Sequence, residues 1–309
     1  MPYLNFSTAK PAMKFLIIIF TIVTSGIIVS FAGLLLARII FWMPLEEVNH
    51  VLYNRTGMLT DLQLKYFQLV QSLGFFVVPG FILYWLFSSE TETYFDASFR
   101  LKAIQIILLT ALFFVAIPLI NMLIEYNQQI KFPGFLNGAE TRLREMEGNY
   151  GELTKRLVST GSFGHFLFNI LLIAVLPAIG EELIFRGVLQ KVFYEISNNI
   201  HLSVLITAII FSAVHGQFFE FVPRFLLGVF FGYLMVWGRN IWLPVAAHFI
   251  NNLLAVTAFF LYNRQILDIS PEKMAMGNTH NYTWAISALF SVILIVVIRK
   301  TSLKLSVNN

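Results

Sequence analysis

The sequence predicts an all-α, polytopic membrane protein of about eight transmembrane helices. Of its 309 residues, 57% are hydrophobic and only 12% charged, where a soluble domain carries about a quarter charged residues. Mean hydropathy is +0.73. The apolar residues also gather into stretches close to the roughly 20 residues that a helix needs to cross a bilayer core. Cysteine is absent, which excludes disulfides, thiolate metal sites and a cysteine nucleophile. The net charge of +4 resides in tails and connections, a pattern that speaks of leaflet orientation and anionic lipid headgroups; no basic–aromatic patch suggests nucleic acid.

In chain order the stretches are 15–36, 66–87, 103–124, 164–195, 202–217, 222–238, 243–263 and 282–299. The first follows Lys10 and Lys14 and is too long for a signal-peptide core of about 7–15 residues, so it reads as a retained span. The fourth is too long for a straight span and carries Pro177 and Gly180, which predicts a kink near Pro177 and an extension beyond the membrane core. An even number of spans puts both basic tails in the cytoplasm. The connection 125–163 is charge-dense, yet Leu143, Met146, Tyr150, Leu153 and Leu157 recur there at helical spacing. This predicts an amphipathic helix on the membrane or the bundle, with a gate over the site as the alternative. Gly148 and Gly151 weaken it midway. Three regions result: N-terminal helices with the connecting helix over 1–163, a core over 164–262, and a loop, last helix and basic tail over 263–309. Gly228 and Gly232 have the spacing that lets apolar helices approach closely. Trp237, Arg239 and Trp242 fit an interfacial turn.

An ionised side chain inside the bilayer costs about 3 kcal/mol even on insertion scales, so each needs a partner or a purpose. They are few: Glu181, Glu182 and Arg186 in the fourth stretch, His215 ending the fifth, and His248 with the amide of Asn252 in the seventh. His50, His165, His201 and His280 fall in connections or at a helix start and read as surface groups. At about 100° per residue, Glu182 and Arg186 share a helix face while Glu181 points away. Glu182 can thus pair with Arg186, leaving Glu181 for acid–base work; one buried ion-pair network holding the bundle together is the structural alternative. Counted from the connection at 196–202, Glu181 and His215 lie about 22 and 20 Å deep, level across a hairpin. Phe211 sits one turn before His215. His248 and Asn252 start from the same side and reach about 10–18 Å.

Two mechanisms can use this set. A divalent metal such as Zn2+ held by His215, His248 and Glu181 can activate water. Alternatively, Glu181 and His215 activate water directly, with His248 and Asn252 stabilising an oxyanion. The HExxH helix of zinc proteases and the GxSxG elbow are both absent.

The motifs EExxxR at 181–186, FxxxH at 211–215 and HxxxN at 248–252, in this order within apolar helices, resemble those of the CAAX prenyl endopeptidase and bacteriocin-processing (Abi, CPBP) family of intramembrane proteases. The resemblance spans about residues 164–262. It implies an eight-helix intramembrane endopeptidase of a bacterial-type inner membrane, acting on a membrane-bound peptide or a prenylated or otherwise lipid-associated protein. Glu181 and His215 would activate water, His248 and Asn252 would stabilise the transition state, and Glu182, Arg186 and Phe211 would complete the motifs. The family is often described as metalloproteases, though its pattern also supports metal-independent glutamate chemistry. The alternatives are a non-catalytic membrane adaptor or bacteriocin self-immunity protein on the same fold, and a proton-coupled carrier, against which the lack of internal repeats counts.

Overall fold

The computed structural model describes residues 6–44, 59–88, 96–159, 162–268, 271 and 282–307, and every element within them is helical. His50 and His280 lie outside the described residues. The helices are α1 (Pro11–Ile40), α2 (Asp61–Phe87), α3 (Ala103–Gln128), α4 (Asn137–Val158), α5 (Phe163–Ser197), α6 (Ile200–Ala213), α7 (Phe221–Gly238), α8 (Trp242–Asn263) and α9 (Thr283–Val307). Seven of them, all but α4 and α6, are long and apolar enough to span a bilayer. The expected fifth span is shorter than the sequence suggests. Helix α6 has 14 residues, about 21 Å, and ends at Ala213 because Gly216 takes a left-handed conformation (φ 68°) that terminates the helix. His215 therefore lies on a turn just beyond the helix end.

Local signals set the boundaries. Thr60 caps α2: its hydroxyl accepts from the Gln63 backbone N–H at 3.3 Å, while the Gln63 side chain accepts from the Thr60 N–H at 2.8 Å. Asn199 caps α6 by accepting from His201 and Leu202 N–H groups. Large apolar side chains such as Phe20, Ile27, Phe31, Leu289 and Phe290 are exposed along α1 and α9, the faces a bilayer would cover. Two buried clusters form the interior. One joins Ile18, Leu83, Phe87, Ile184, Val188 and Phe211; the other joins Leu109, Phe113, Phe231, Leu234 and Leu243.

Helix α5 runs without a break through Pro177. It has two wider π-helical turns, Ile170–Val175 and Leu183–Leu189, one on each side of Pro177. The amphipathic helix is present as α4, continuous through Gly148 and Gly151. Leu153 and Leu157 pack on a cluster of Ala37, Met43, Leu59 and Leu64, and Arg156 pairs with Asp61 at 3.1 Å. The helix thus lies on the bundle at the ends of α1 and α2. Its other half reaches the turn after α6: Glu147 accepts from the Phe219 N–H at 2.8 Å and the Arg144 guanidinium lies 4.0 Å from the Phe219 ring centre.

Candidate active site

The middle of α5, the end of α6, α7 and α8 converge on one polar cluster. The pair expected on α5 is present: Arg186 Nη1 donates to Glu182 Oε1 at 2.8 Å, with both side chains fully buried. Two full charges in such surroundings persist only with further partners. Arg186 Nη2 donates to the Gly228 carbonyl at 3.1 Å, and its guanidinium lies 4.3 Å from the Phe211 ring centre, a cation–π contact. One turn on, Gln190 donates to the Gly232 carbonyl at 3.2 Å. The glycine spacing explains this access. A Cβ on Gly228 would lie 3.1 Å from that of Ala208, and one on Gly232 would lie 2.9 Å from both Gln190 Oε1 and Val204 Cγ1. The GxxxG face of α7 therefore packs inside the bundle and offers backbone acceptors to α5.

The same Glu182 oxygen also accepts from His248 Nδ1 at 2.8 Å. Since Nδ1 carries the hydrogen towards a carboxylate, Nε2 of His248 is the nitrogen left for chemistry. Its ring stacks on Phe231 at 5.2 Å and meets Phe211 edge-on at 6.1 Å, which fixes its plane. Glu182 is thus the hub of an Arg186–Glu182–His248 chain across α5 and α8.

Glu181 faces elsewhere. Its Oε2 is buried, has no hydrogen-bond partner, and lies 4.0 Å from His215 Nε2. His215 Nδ1 is 2.7 Å from the Phe211 carbonyl; a carbonyl only accepts, so Nδ1 holds the hydrogen and Nε2 faces Glu181 as an acceptor. The depth match across the hairpin therefore brings these two residues face to face. At 4.0 Å they are too far apart for a direct hydrogen bond and suitably spaced for one water between them. The His215 side chain is 28% exposed, against 10% for Glu181, so the pair opens through the histidine.

Asn252 does not join either group. Its amide nitrogen donates to the Ile173 carbonyl at 3.0 Å, and its oxygen accepts from Asn251. Ile173 is four residues before Pro177, whose missing N–H leaves that carbonyl without its helical donor; Asn252 supplies one. Among the described residues, no three His, Cys, Asp or Glu side chains converge as metal ligands. His215 and His248 each donate through Nδ1 to a protein acceptor and keep Nε2 free, the arrangement in which a histidine can serve either as an acid–base group or as a metal ligand. Sequence reasoning missed Gln190, Phe231, the Gly228 carbonyl and the link from Glu182 to His248. The matched four-residue spacings of Arg186/Gln190 and Gly228/Gly232 were the available signal. An apolar cavity of about 600 Å3 lies beside the site. Phe15, Ile18, Phe75, Ile184, Phe185 and Val214 are among its walls, the last three adjoining the motif residues in sequence.

Residues 163–254 match the family model of the Rce1-like type II CAAX prenyl endopeptidases. Two curated proteins of Bacillus subtilis are similar to parts of the chain. "Uncharacterized protein YpbD" is 32% identical over 104 residues, covering 32% of this chain and 48% of its own length. "Putative membrane peptidase YdiL" is 30% identical over 87 residues, covering 28% and 35%. The chain thus spans less than half the length of each of these relatives. No solved structure matches. The matched residues 163–254 carry all three motifs and the whole polar cluster, and over this stretch the chain is similar to the Rce1-like type II CAAX prenyl endopeptidases.

Proposed function

We propose that this protein is an intramembrane endopeptidase in which Glu181 and His215 activate water. The observation that carries the reading is the pairing of a buried, unpartnered carboxylate oxygen with an acceptor imidazole nitrogen 4.0 Å away. A water between them gives its proton to one of the two as it attacks a peptide carbonyl, and that proton passes on to the leaving amine. The Phe211 carbonyl holds His215 in the tautomer that this requires. His248, oriented by Glu182, offers Nε2, which as an imidazolium donates to the developing oxyanion. Asn252 gives one amide hydrogen to the Ile173 carbonyl and has a second to offer the oxyanion. The apolar cavity beside the site suits a substrate segment that arrives from the bilayer.

The reading is tested in proteoliposomes with quenched fluorogenic peptides that carry a lipid anchor, the products being identified by mass spectrometry. Wild type should cut one internal bond, and His215→Ala should cut at least about 100-fold more slowly, the lower range for loss of acid–base catalysis. Equal rates in a folded His215→Ala variant would defeat the proposal. The adaptor reading makes the opposite forecast: partner binding without turnover, lost together with stability when the cluster is disrupted.

A further inference from the structure

His215 precedes α7, and a second polar site lies at the other end of that helix, 18 residues or about 27 Å along it. A cavity of about 60 Å3 opens there between the loop before α3, the start of α3, the α7–α8 turn and the last turns of α9. A water fills at least about 10–15 Å3 of such space, so the cavity has room for about four oxygen-sized atoms, those of one phosphate. Its walls are fixed. Asn240 donates to the Ser98 carbonyl at 2.6 Å, Trp242 Nε1 to the Ala97 carbonyl at 2.7 Å, and the Ile241 N–H to the Asp96 carbonyl at 3.1 Å. The site is thus formed before any ligand arrives, which lowers the cost of binding.

The lining carries donors with nothing to bind. Gln105 and Ser302 are 6% and 1% exposed. Gln105 Nε2 donates to Ser302 Oγ at 3.3 Å, which leaves the second amide hydrogen and the hydroxyl hydrogen without an acceptor among the described residues. Buried donors of this kind call for an acceptor. Arg100 and Arg239, both exposed, line the same cavity. Arg239 follows α7 in a left-handed conformation (φ 50°) that favours Gly or Asn, and its guanidinium has no partner among the described residues. The one acid in the lining, Asp96, is already engaged: its Oδ1 accepts from the Ser98 N–H at 2.8 Å and hydroxyl at 2.5 Å, and its Oδ2 lies 3.7 Å from Arg100 Nη1. Two cations against one acid leave the lining with a net charge of +1. The surroundings point to a lipid. Lys102, Arg299, Lys300 and Lys304 are exposed at this end of the bundle, and so are the apolar Ile104 and Leu303, neighbours in sequence of Gln105 and Ser302.

We propose that this pocket binds the phosphate group of an anionic membrane lipid. The arginine forks match phosphate oxygens, Ser302 and Gln105 supply neutral donors, and the acyl chains lie along Ile104 and Leu303. The proposal is independent of the peptidase reading.

The test is isothermal titration calorimetry of the purified protein in a neutral detergent, at one ionic strength, with dioctanoyl phosphatidic acid, dioctanoyl phosphatidylcholine or sodium phosphate. Phosphatidic acid should bind at one saturable site about tenfold or more tighter than phosphatidylcholine, whose choline cation meets the two arginines. Arg239→Gln and Arg100→Gln should each weaken it by about tenfold, the range of a charge-assisted hydrogen bond, and Ser302→Ala should weaken it less. Both arginines are exposed, so these variants should keep the wild-type unfolding temperature without lipid. Lys304→Gln, which removes an exposed cation outside the lining, should leave the affinity unchanged. Equal losses in Lys304→Gln and Arg239→Gln would overturn the proposal, because the attraction would then be diffuse surface charge. So would equal affinity for the two lipids. Sodium phosphate binding as tightly as phosphatidic acid, with the same dependence on Arg239, would overturn the lipid as carrier and make free phosphate the ligand.

Discussion

Two adjacent glutamates on α5 have opposite work. Glu182 accepts from Arg186 and His248 through Oε1 with no solvent exposure, so its charge is paired, while its Oε2, like that of Glu181, has no hydrogen-bond partner. Glu181 points its Oε2 at His215 across 4.0 Å and has no hydrogen-bond partner for that atom. Their amide variants should therefore behave oppositely. Glu182→Gln leaves Arg186 as an uncompensated buried cation and should cost about 3–5 kcal/mol, the range for breaking a buried pair. Glu181→Gln removes a buried carboxylate whose Oε2 has no hydrogen-bond partner and should leave stability unchanged or raised. Thermal unfolding in detergent compares the two directly; equal losses would contradict the division of roles. The spacing of Glu182 and Arg186 was legible in the sequence because it is a property of one helix. The bond from Glu182 to His248 was not, since it joins residues 66 apart in the chain and depends on which helices become neighbours.

At the scale of elements, α5 carries the site through a proline without breaking. Wider turns flank Pro177, and Asn252 donates to the carbonyl that the proline leaves open. This makes the two residues energetically coupled. Asn252→Ala should cost about 1–3 kcal/mol by orphaning the Ile173 carbonyl, and Pro177→Ala, which restores an N–H, should recover much of that loss in the double variant. Additive effects in a double-mutant cycle would dismiss the coupling. The glycine pair on α7 was readable as a close-packing face from spacing alone, but Gln190 was not, because a neutral amide in an apolar stretch does not announce a cost. The length of α6 was misjudged for a related reason: its apolar run continues to Val214, whereas the helix is ended by the backbone of Gly216.

At the scale of the whole molecule, the all-helical class, the number of apolar helices and the relative depth of Glu181 and His215 followed from hydropathy and helical rise alone. The packing of α4 onto the bundle followed only in outline, from its narrow apolar stripe. This helix is fastened at one end by Arg156 on Asp61 and at the other by Glu147 on the Phe219 N–H. Burial pushes the Glu147 carboxyl above its usual range, with Glu220 adding to that and the Phe219 N–H opposing it. Because the docked state holds this proton more tightly than the free helix does, docking is strongest below the ordinary carboxylate range and weakens as pH rises through the raised value. Hydrogen exchange in α4, corrected for intrinsic rates, should therefore show less protection as pH rises through that value. Glu147→Gln should remove the dependence.

The central claim is that Glu181 acts on water. Its most direct test is the hydrolysis rate of a lipid-anchored peptide by Glu181→Gln protein in nanodiscs, with the unfolding temperature measured on the same sample. A drop of about 100-fold or more at an unchanged or raised unfolding temperature is the expected result; a stable variant that cleaves at the wild-type rate would contradict it.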